Sequence, residues 1–493
     1  MEDVRPPMEA RAAFPIALLL AVTWLFLCAV GISFQYSYWF DELFSVSLSN
    51  QSLEHQFEIY LKDVHPPLYQ LTLSAWMFVF GDTEISTRAL SSIFVVLGLS
   101  AFLYLKRFKP DVFVSIACVF VLSNFLVHFY AQETRSYGML FCFSAWAMVM
   151  FVLNENKYLF IVLMFLSLIH FFGTLLACLI SLWLLFEYRS DVKRVIASLM
   201  VFGVAAIWPV IWFVSGEARR NIGGSFWIET SPNASVIDAF TATIPTAFRF
   251  LDVAAVFLGI GDTIYAGLFV TASILLAALI WFSSRDLGEF EMMTLIKSLY
   301  VLVAATGAVY LISWHTPVST LRNFIILVPV GALLFACVTV GLVGSVGWIR
   351  NATSVGLIAF VLASLALTLY SLQTKLIPIQ DWKASAEKIA VLQEVQESRI
   401  FAVKLFDKYS IVQFDRLQYG FYLTKYGLDF EVMSVSELPS LTSGDIIYFG
   451  HLDVSESDSG CTNQISELYQ NQQVDFNFVA TGRSCSTGFL EIR

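Results

Sequence analysis

The stretch from Phe40 to Gly81, FDELFSVSLSNQSLEHQFEIYLKDVHPPLYQLTLSAWMFVFG, decides how the chain is read. It opens on an acidic pair, Asp41 and Glu42, passes through His65-Pro66-Pro67, and ends in an apolar run that stops at Gly81. That run, residues 68–80, is shorter than the ~20 residues a helix needs to cross a bilayer core of ~30 Å. It fits a helix lying at a membrane interface or against a bundle, with Tyr69 and Trp76 as interfacial aromatics. The polar residues ahead of it are then held close to a membrane surface.

The surroundings make that surface unavoidable. Of 493 residues, 57% are hydrophobic and 14% charged, outside the range of soluble globular domains. The net charge of -10 is spread over the loops and a polar C-terminal region, and no basic stripe suggests nucleic acid. The first apolar segment, about 14–34, reads as an uncleaved signal anchor: it is long, and no small-x-small cleavage site or lipoprotein site at Cys28 follows from its residues. Further spans are expected at roughly 88–105, 112–130, 138–153, 158–173, 174–188, 195–215, 263–283, 296–313, 323–347 and 352–372, about eleven in all. Arg5, Arg11, KRFK at 106–109, Lys157, YRSDVKR at 188–194, Arg285, Lys297 and Arg350 fall on one side of this map. The positive-inside rule makes that side cytoplasmic, with the N-terminus inside and everything after about Thr374 outside. A rival count, with 65–81 as a tilted span, moves KRFK to the outside and ranks second.

The expected organisation is a transmembrane part, 1–373, with outer loops at 34–87 and 216–262, followed by an extracytoplasmic α/β domain, 374–493. In the latter, DWKASAEKIAVLQEVQE has helical spacing, whereas RIFAVKLF, GDIIYFGH and FNFVATG are strand-like. Cys461 and Cys485 lie in this outer region, where a disulfide and two free thiols both fit the sequence. The cysteines at 28, 118, 142, 178 and 337 fall in or near spans and read as packing residues.

Asp41 and Glu42 alone would be an ordinary solvated loop start. Their company changes the balance: His65 lies in the same outer loop, and Glu133-Thr134-Arg135-Ser136-Tyr137 follows span three on the same face. FDELFSVSLS, DVHPPLYQLTLSAWMFVFGDTEISTRALSSIF and YAQETRSYGM, in this order, resemble the type-C membrane glycosyltransferases related to the protein O-mannosyltransferases and the aminoarabinose transferase of lipid A. The resemblance runs to about Gly173 and returns in SWHTPVSTLRNFIILVPVG, where Asn323 stands in place of the family's more frequent Tyr after the Arg. GGSFW in the 216–262 loop matches loosely, and the C-terminal region carries no matching motif.

The resemblance implies a polytopic α-helical type-C fold in a bacterial inner membrane. It implies an inverting transfer of a sugar from a polyprenyl-phosphate donor to a lipid, glycan or protein acceptor on the outer face, with no metal or other cofactor. By family position Asp41 is the base and Glu42 orients the base or the acceptor. One carboxylate suffices, because the acceptor hydroxyl must lose a proton and a lipid phosphate already leaves well. That phosphate calls for cations. Arg322 is the first choice and Arg135 the second, whereas Arg88 reads as structural. His65 is a candidate for contact with acceptor or phosphate, or for holding a divalent ion with Asp41 and Glu42, Glu133 and Tyr137 for the sugar pocket, and Trp227 for stacking on sugar or prenyl chain. His128, His170 and His315 read as packing residues. A glycan polymerase or ligase using lipid-linked oligosaccharide remains an alternative, as does a non-catalytic glycan-binding scaffold. A transporter would set ionisable groups in mid-span, which this sequence does not.

Overall fold

The computed structural model describes residues 36–61, 65–109, 111–215, 232–243, 276–316, 318–344, 380–404, 419–434, 442–450, 476–480 and 487–492, with residues 274 and 356. The spans expected at 14–34 and 352–372, most of that at 263–283, and Trp227, Cys28, Cys461 and Cys485 lie outside the described residues. The chain divides into two compact units. One comprises Met1–Ala29, Phe57–Tyr69 and Ser91–Ser371, the other Val30–Gln56, Gln70–Leu90 and Leu372–Arg493.

Helices dominate the N-terminal half: α1 (Phe40–Ser49), α2 (Leu53–Tyr60), α3 (Leu68–Phe80), α4 (Glu84–Tyr104), α5 (Asp111–Ser123), α6 (Phe125–Tyr130), α7 (Tyr137–Leu153), α8 (Asn156–Ser167), α9 (Phe171–Glu187) and α10 (Val192–Val214). The short apolar run of the opening stretch is α3, bounded by the Pro pair and by Gly81 with φ 79°. After α10 come α11 (Pro232–Thr243), α12 (Glu289–Ser313), a 3-10 segment (Leu321–Leu327) and α13 (Val328–Gly344).

The first unit is built by helix packing, with α13 against α5 and α12, α9 against α10, and α7 against α8. Gly138 permits one close crossing: a Cβ there would meet the Ser91 carbonyl oxygen at 2.8 Å. At the end of α7, Asn154 adopts φ 57°. There the buried Lys297 ammonium donates to the Phe151 carbonyl at 2.9 Å and to Asn154 Oδ1 at 2.6 Å, a cation set on a helix C-terminus.

Four helices among the described residues are long and apolar enough to cross a membrane: Glu84–Arg107, Val192–Val214, Glu289–Ser313 and Leu321–Val343. This corrects the expectation of about eleven such spans. One reason is that the chain turns inside an apolar run that hydropathy alone reads as continuous; another is that several apolar helices are short. The span expected at 112–130 is broken at Asn124, whose side chain accepts the Leu126 amide at 3.0 Å and starts α6. Between the spans expected at 158–173 and 174–188, the break falls at His170, a few residues earlier than expected, leaving α8 with 12 residues and α9 with 17. Twelve helical residues span only about 18 Å.

The second unit carries a five-stranded mixed sheet of β1 (Ile400–Lys404), β2 (Glu431–Ser434), β3 (Ile446–Gly450), β4 (Phe476–Ala480) and β5 (Thr487–Ile492), in the order β2-β1-β3-β5-β4. β1 runs parallel to β2 and β3, while β5 is antiparallel to both β3 and β4. Helix α14 (Trp382–Gln393) packs on β5 and on α15 (Phe421–Lys425). Asp381 starts α14 by accepting the Ala384 amide at 3.0 Å, and the buried Tyr448 hydroxyl donates to the Trp382 carbonyl at 3.1 Å. The expected helix and three strands are present, and β2 and β5 are additional.

Candidate functional site

In the second unit, the acidic pair occupies the first turn of α1. Amide groups are unsatisfied at that end of a helix, so it favours anions. Glu42 is fully buried and returns its carboxylate to the Trp39 amide at 3.3 Å, half of a capping box. Its other partner is Arg88 of α4, 1% exposed, which grips it with two parallel bonds: Nε to Oε1 at 2.9 Å and Nη2 to Oε2 at 2.6 Å. Arg88 also donates to the Tyr36 carbonyl at 3.0 Å and the Ser37 carbonyl at 3.1 Å, and its guanidinium carbon lies 5.0 Å from the centre of the Tyr36 ring. Glu42 therefore anchors the start of α1, and Asp41 is the half-buried carboxylate displayed beside it.

The segment leading to Asp41 is held from further sides within the same unit. The Tyr38 amide donates to the Tyr422 hydroxyl oxygen at 2.8 Å, and that hydroxyl donates to Glu84 Oε1 at 2.9 Å. The Phe40 amide donates to Gln380 Oε1 at 2.9 Å, and the Ser37 hydroxyl donates to the Gln380 carbonyl at 2.8 Å. The Tyr38 hydroxyl donates to the Asp82 carbonyl at 3.0 Å and lies 2.7 Å from that of Thr87. Burial, then the Glu84 charge, pushes the Tyr422 phenol well above its usual range, so it stays a proton donor. Sequence reading found Arg88 as a structural cation but missed Tyr422 and Gln380, which no local pattern marks.

The first unit gathers a different group. His65, just before the Pro pair, lies with its ring centre 5.2 Å from that of His170; Tyr137, at the start of α7, lies 5.8 Å from His170. The Arg322 guanidinium sits over the Tyr137 ring, 5.8 Å from its centre. Three of the expected binding residues, His65, Tyr137 and Arg322, thus come together, and His170 joins them. His170 was read as a packing residue; the structure makes it the N-cap of α9, where its Nδ1 accepts the Phe172 amide at 3.2 Å. The signal in the sequence was a lone imidazole splitting an apolar run.

Glu133 and Arg135 lie in the irregular, buried segment between α6 and α7. Irregular backbone away from water needs partners. Ser91 and Ser92 of α4 provide them, donating to the Glu133 carbonyl at 2.5 Å and the Ala131 carbonyl at 2.7 Å. The Arg135 amide closes the turn on the Glu133 carbonyl at 2.8 Å. A buried cation and an aromatic-imidazole-guanidinium cluster thus lie in one unit, groups of the kind that bind anions. Among the described residues, no three His, Cys, Asp or Glu side chains gather as a metal site.

No protein-family model matches the chain, and neither does any curated protein. Among solved structures, the chain is similar to ArnT from Cupriavidus metallidurans bound to undecaprenyl phosphate, at 12% identity, with a TM-score of 0.51 and 98% of each chain covered. The apo structure of the same ArnT matches at 12% identity, with a TM-score of 0.54 and the same coverage. This chain shares the fold of ArnT. The ArnT fold is the polytopic, largely α-helical type-C membrane fold expected from the motifs, and the likeness extends beyond Gly173 over the whole chain. At 12% identity it speaks for architecture and not for individual side chains.

Proposed function

We propose that this protein is an inverting membrane glycosyltransferase that moves a sugar from a polyprenyl-phosphate-linked donor to a lipid, glycan or protein acceptor on the extracytoplasmic face. The observation that carries the reading is the whole-chain ArnT fold, one structure of which holds undecaprenyl phosphate. The chain is assigned to the inner membrane as a multi-pass protein. Its N-terminus is assigned to the cytoplasm, and the region from 374 onward forms an extracytoplasmic α/β domain.

The roles follow from chemistry. The Asp41 carboxylate takes the proton from the acceptor hydroxyl as its oxygen bonds to the anomeric carbon. The bond from that carbon to the phosphate oxygen breaks, and its electron pair leaves with the polyprenyl phosphate. Charge builds on the departing phosphate, so cations matter most there. Arg322 and Arg135 are assigned to it, with His65 and His170 as hydrogen-bonding neighbours. Glu133, Tyr137 and Trp227 are assigned to the sugar pocket, and Glu42 to fixing the backbone of the base. No second carboxyl is required, unlike hydrolysis of a glycoside, where a poor leaving group must be protonated.

The test is Asp41→Asn in the full-length protein, assayed for transfer of a labelled sugar from a polyprenyl-phosphate donor. Loss of a general base costs about 10²- to 10⁴-fold in kcat. The expected result is a loss on that scale with thermal unfolding unchanged. Transfer at the original rate would remove Asp41 as the base.

A further inference from the structure

The C-terminal region has no place in the chemistry above, yet it supplies two of the groups that fix the backbone of the proposed base. Tyr422, at 1% exposure, and Gln380, at 4%, both lie in the same compact unit as Asp41. Each receives a main-chain amide from the residues immediately before it, Tyr38 and Phe40, across sequence separations of 384 and 340. Just ahead of them, Arg88 grips the carbonyls of Tyr36 and Ser37. Tyr36, Ser37, Tyr38 and Phe40 are thus each bound through backbone atoms as the chain enters α1.

Neither contact is incidental. The Tyr422 hydroxyl accepts from Tyr38 and donates onward to Glu84 Oε1, which also receives Lys383 Nζ at 3.3 Å. Gln380 Oε1 accepts from both the Phe40 amide and Trp382 Nε1, the latter at 3.1 Å, so its amide orientation is fixed. Its own carbonyl meanwhile takes the Ser37 hydroxyl. An amide, unlike a side chain, has no rotamer to relax into. Removing either acceptor leaves a buried N–H that must move to find another partner.

We infer that Tyr422 and Gln380 are positioning residues for Asp41, so that the C-terminal region completes the catalytic loop rather than forming a separable binding module. The inference rests on the reading of Asp41 as the base. A misplacement of about 1 Å costs on the order of 10²-fold in rate. Freeing one end of a clamped amide should therefore slow chemistry without touching the groups assigned to the donor phosphate.

The experiment compares Tyr422→Phe and Gln380→Leu with Asp41→Asn in the full chain, purified in detergent and assayed with the labelled donor. Turnover is expressed per folded molecule, as measured by thermal unfolding at the assay temperature. Tyr422→Phe keeps the ring and removes only the hydroxyl. The expected result is a kcat lower by roughly tenfold to a hundredfold in each variant, with the donor KM within about twofold. Amide hydrogen exchange should quicken at Tyr38 in the first variant and at Phe40 in the second, while the sheet stays protected. If Tyr422→Phe fails to fold, Gln380→Leu carries the test alone. Original kcat per folded molecule in the foldable variants, with Asp41→Asn inactive, would overturn the positioning role and leave the base in place. An active Asp41→Asn would overturn both.

Discussion

Arg88 and Arg322 are the same residue at comparable places, each near the start of a long apolar helix, yet the two are used differently. Arg88 is sealed in its unit, its guanidinium divided between a buried carboxylate and two backbone carbonyls. Arg322 lies against an aromatic face, partly exposed, in company with two imidazoles. The difference teaches that an arginine near the start of an apolar helix can be read only from what its donors meet. A guanidinium whose fork closes on one carboxylate and whose remaining donors reach the backbone is a structural bolt. One set over an aromatic ring beside imidazoles sits among groups of the kind that line an anion site.

The most severe way to break this comparison is Arg88→Ala. It strands the Glu42 charge in a dry site and frees the carbonyls of residues 36 and 37, and breaking a buried pair by removing one partner costs about 3–5 kcal/mol. The expected outcome is a large fall in the thermal unfolding temperature in detergent, with activity lost for want of folded protein. Pairing Arg88→Met with Glu42→Leu sharpens the point, since removing both charges should recover part of that stability. The recovery stays partial because methionine cannot serve the two carbonyls. A stable Arg88→Ala protein would mean that the pair holds nothing in place.

Arg322→Ala should give the opposite profile, with stability close to the original and donor use impaired. A charge-assisted hydrogen bond contributes about 1.5–3 kcal/mol, so kcat/KM for the donor should fall by roughly tenfold to a hundredfold, while the acceptor KM stays within about twofold. Equal loss against both substrates, accompanied by a lower unfolding temperature, would place Arg322 in the same class as Arg88.

Much of this was legible in the sequence, and the parts that were not share a cause. The helix that starts at the acidic pair does not follow from local pattern, whereas α3 as a short apolar helix and the α14 helix do. So does the gathering of His65, Tyr137 and Arg322, though only through the order of family motifs. The turn at Asn124 was hidden because one polar residue hardly alters the hydropathy of a long apolar window, whereas the break at His170 was expected within a few residues. β2 escaped notice because it has four residues, and β5 because Gly488 interrupts its apolar pattern. Tyr422 and Gln380 were out of reach altogether: a tyrosine hydroxyl that serves an amide 384 residues away leaves no periodicity behind.

The gentlest probe of the comparison is a third arginine, Arg399, which grips Asp445 with the same two-bond fork, Nε to Oδ1 at 2.9 Å and Nη2 to Oδ2 at 2.5 Å, but from a half-exposed position. Burial works to raise the Asp445 carboxyl, but Arg399, together with the amide and hydroxyl of Thr442, more than offsets it and holds the carboxyl below its usual range. A depressed carboxylate stabilises the fold above its unfolded value of about 3.9, and that contribution is lost as pH falls through the lower folded value. Asp445→Asn should therefore reduce the unfolding temperature slightly at neutral pH and flatten its decline at acid pH. Because water and salt screen an exposed pair, the change should be smaller than for Arg88→Ala and should shrink further as ionic strength rises. Thermal unfolding of the two proteins across acid to neutral pH at low and high salt reads this directly. A loss as large as that of Arg88→Ala would mean that burial does not separate the two forks, and that the distinction between Arg88 and Arg322 must rest on their partners alone.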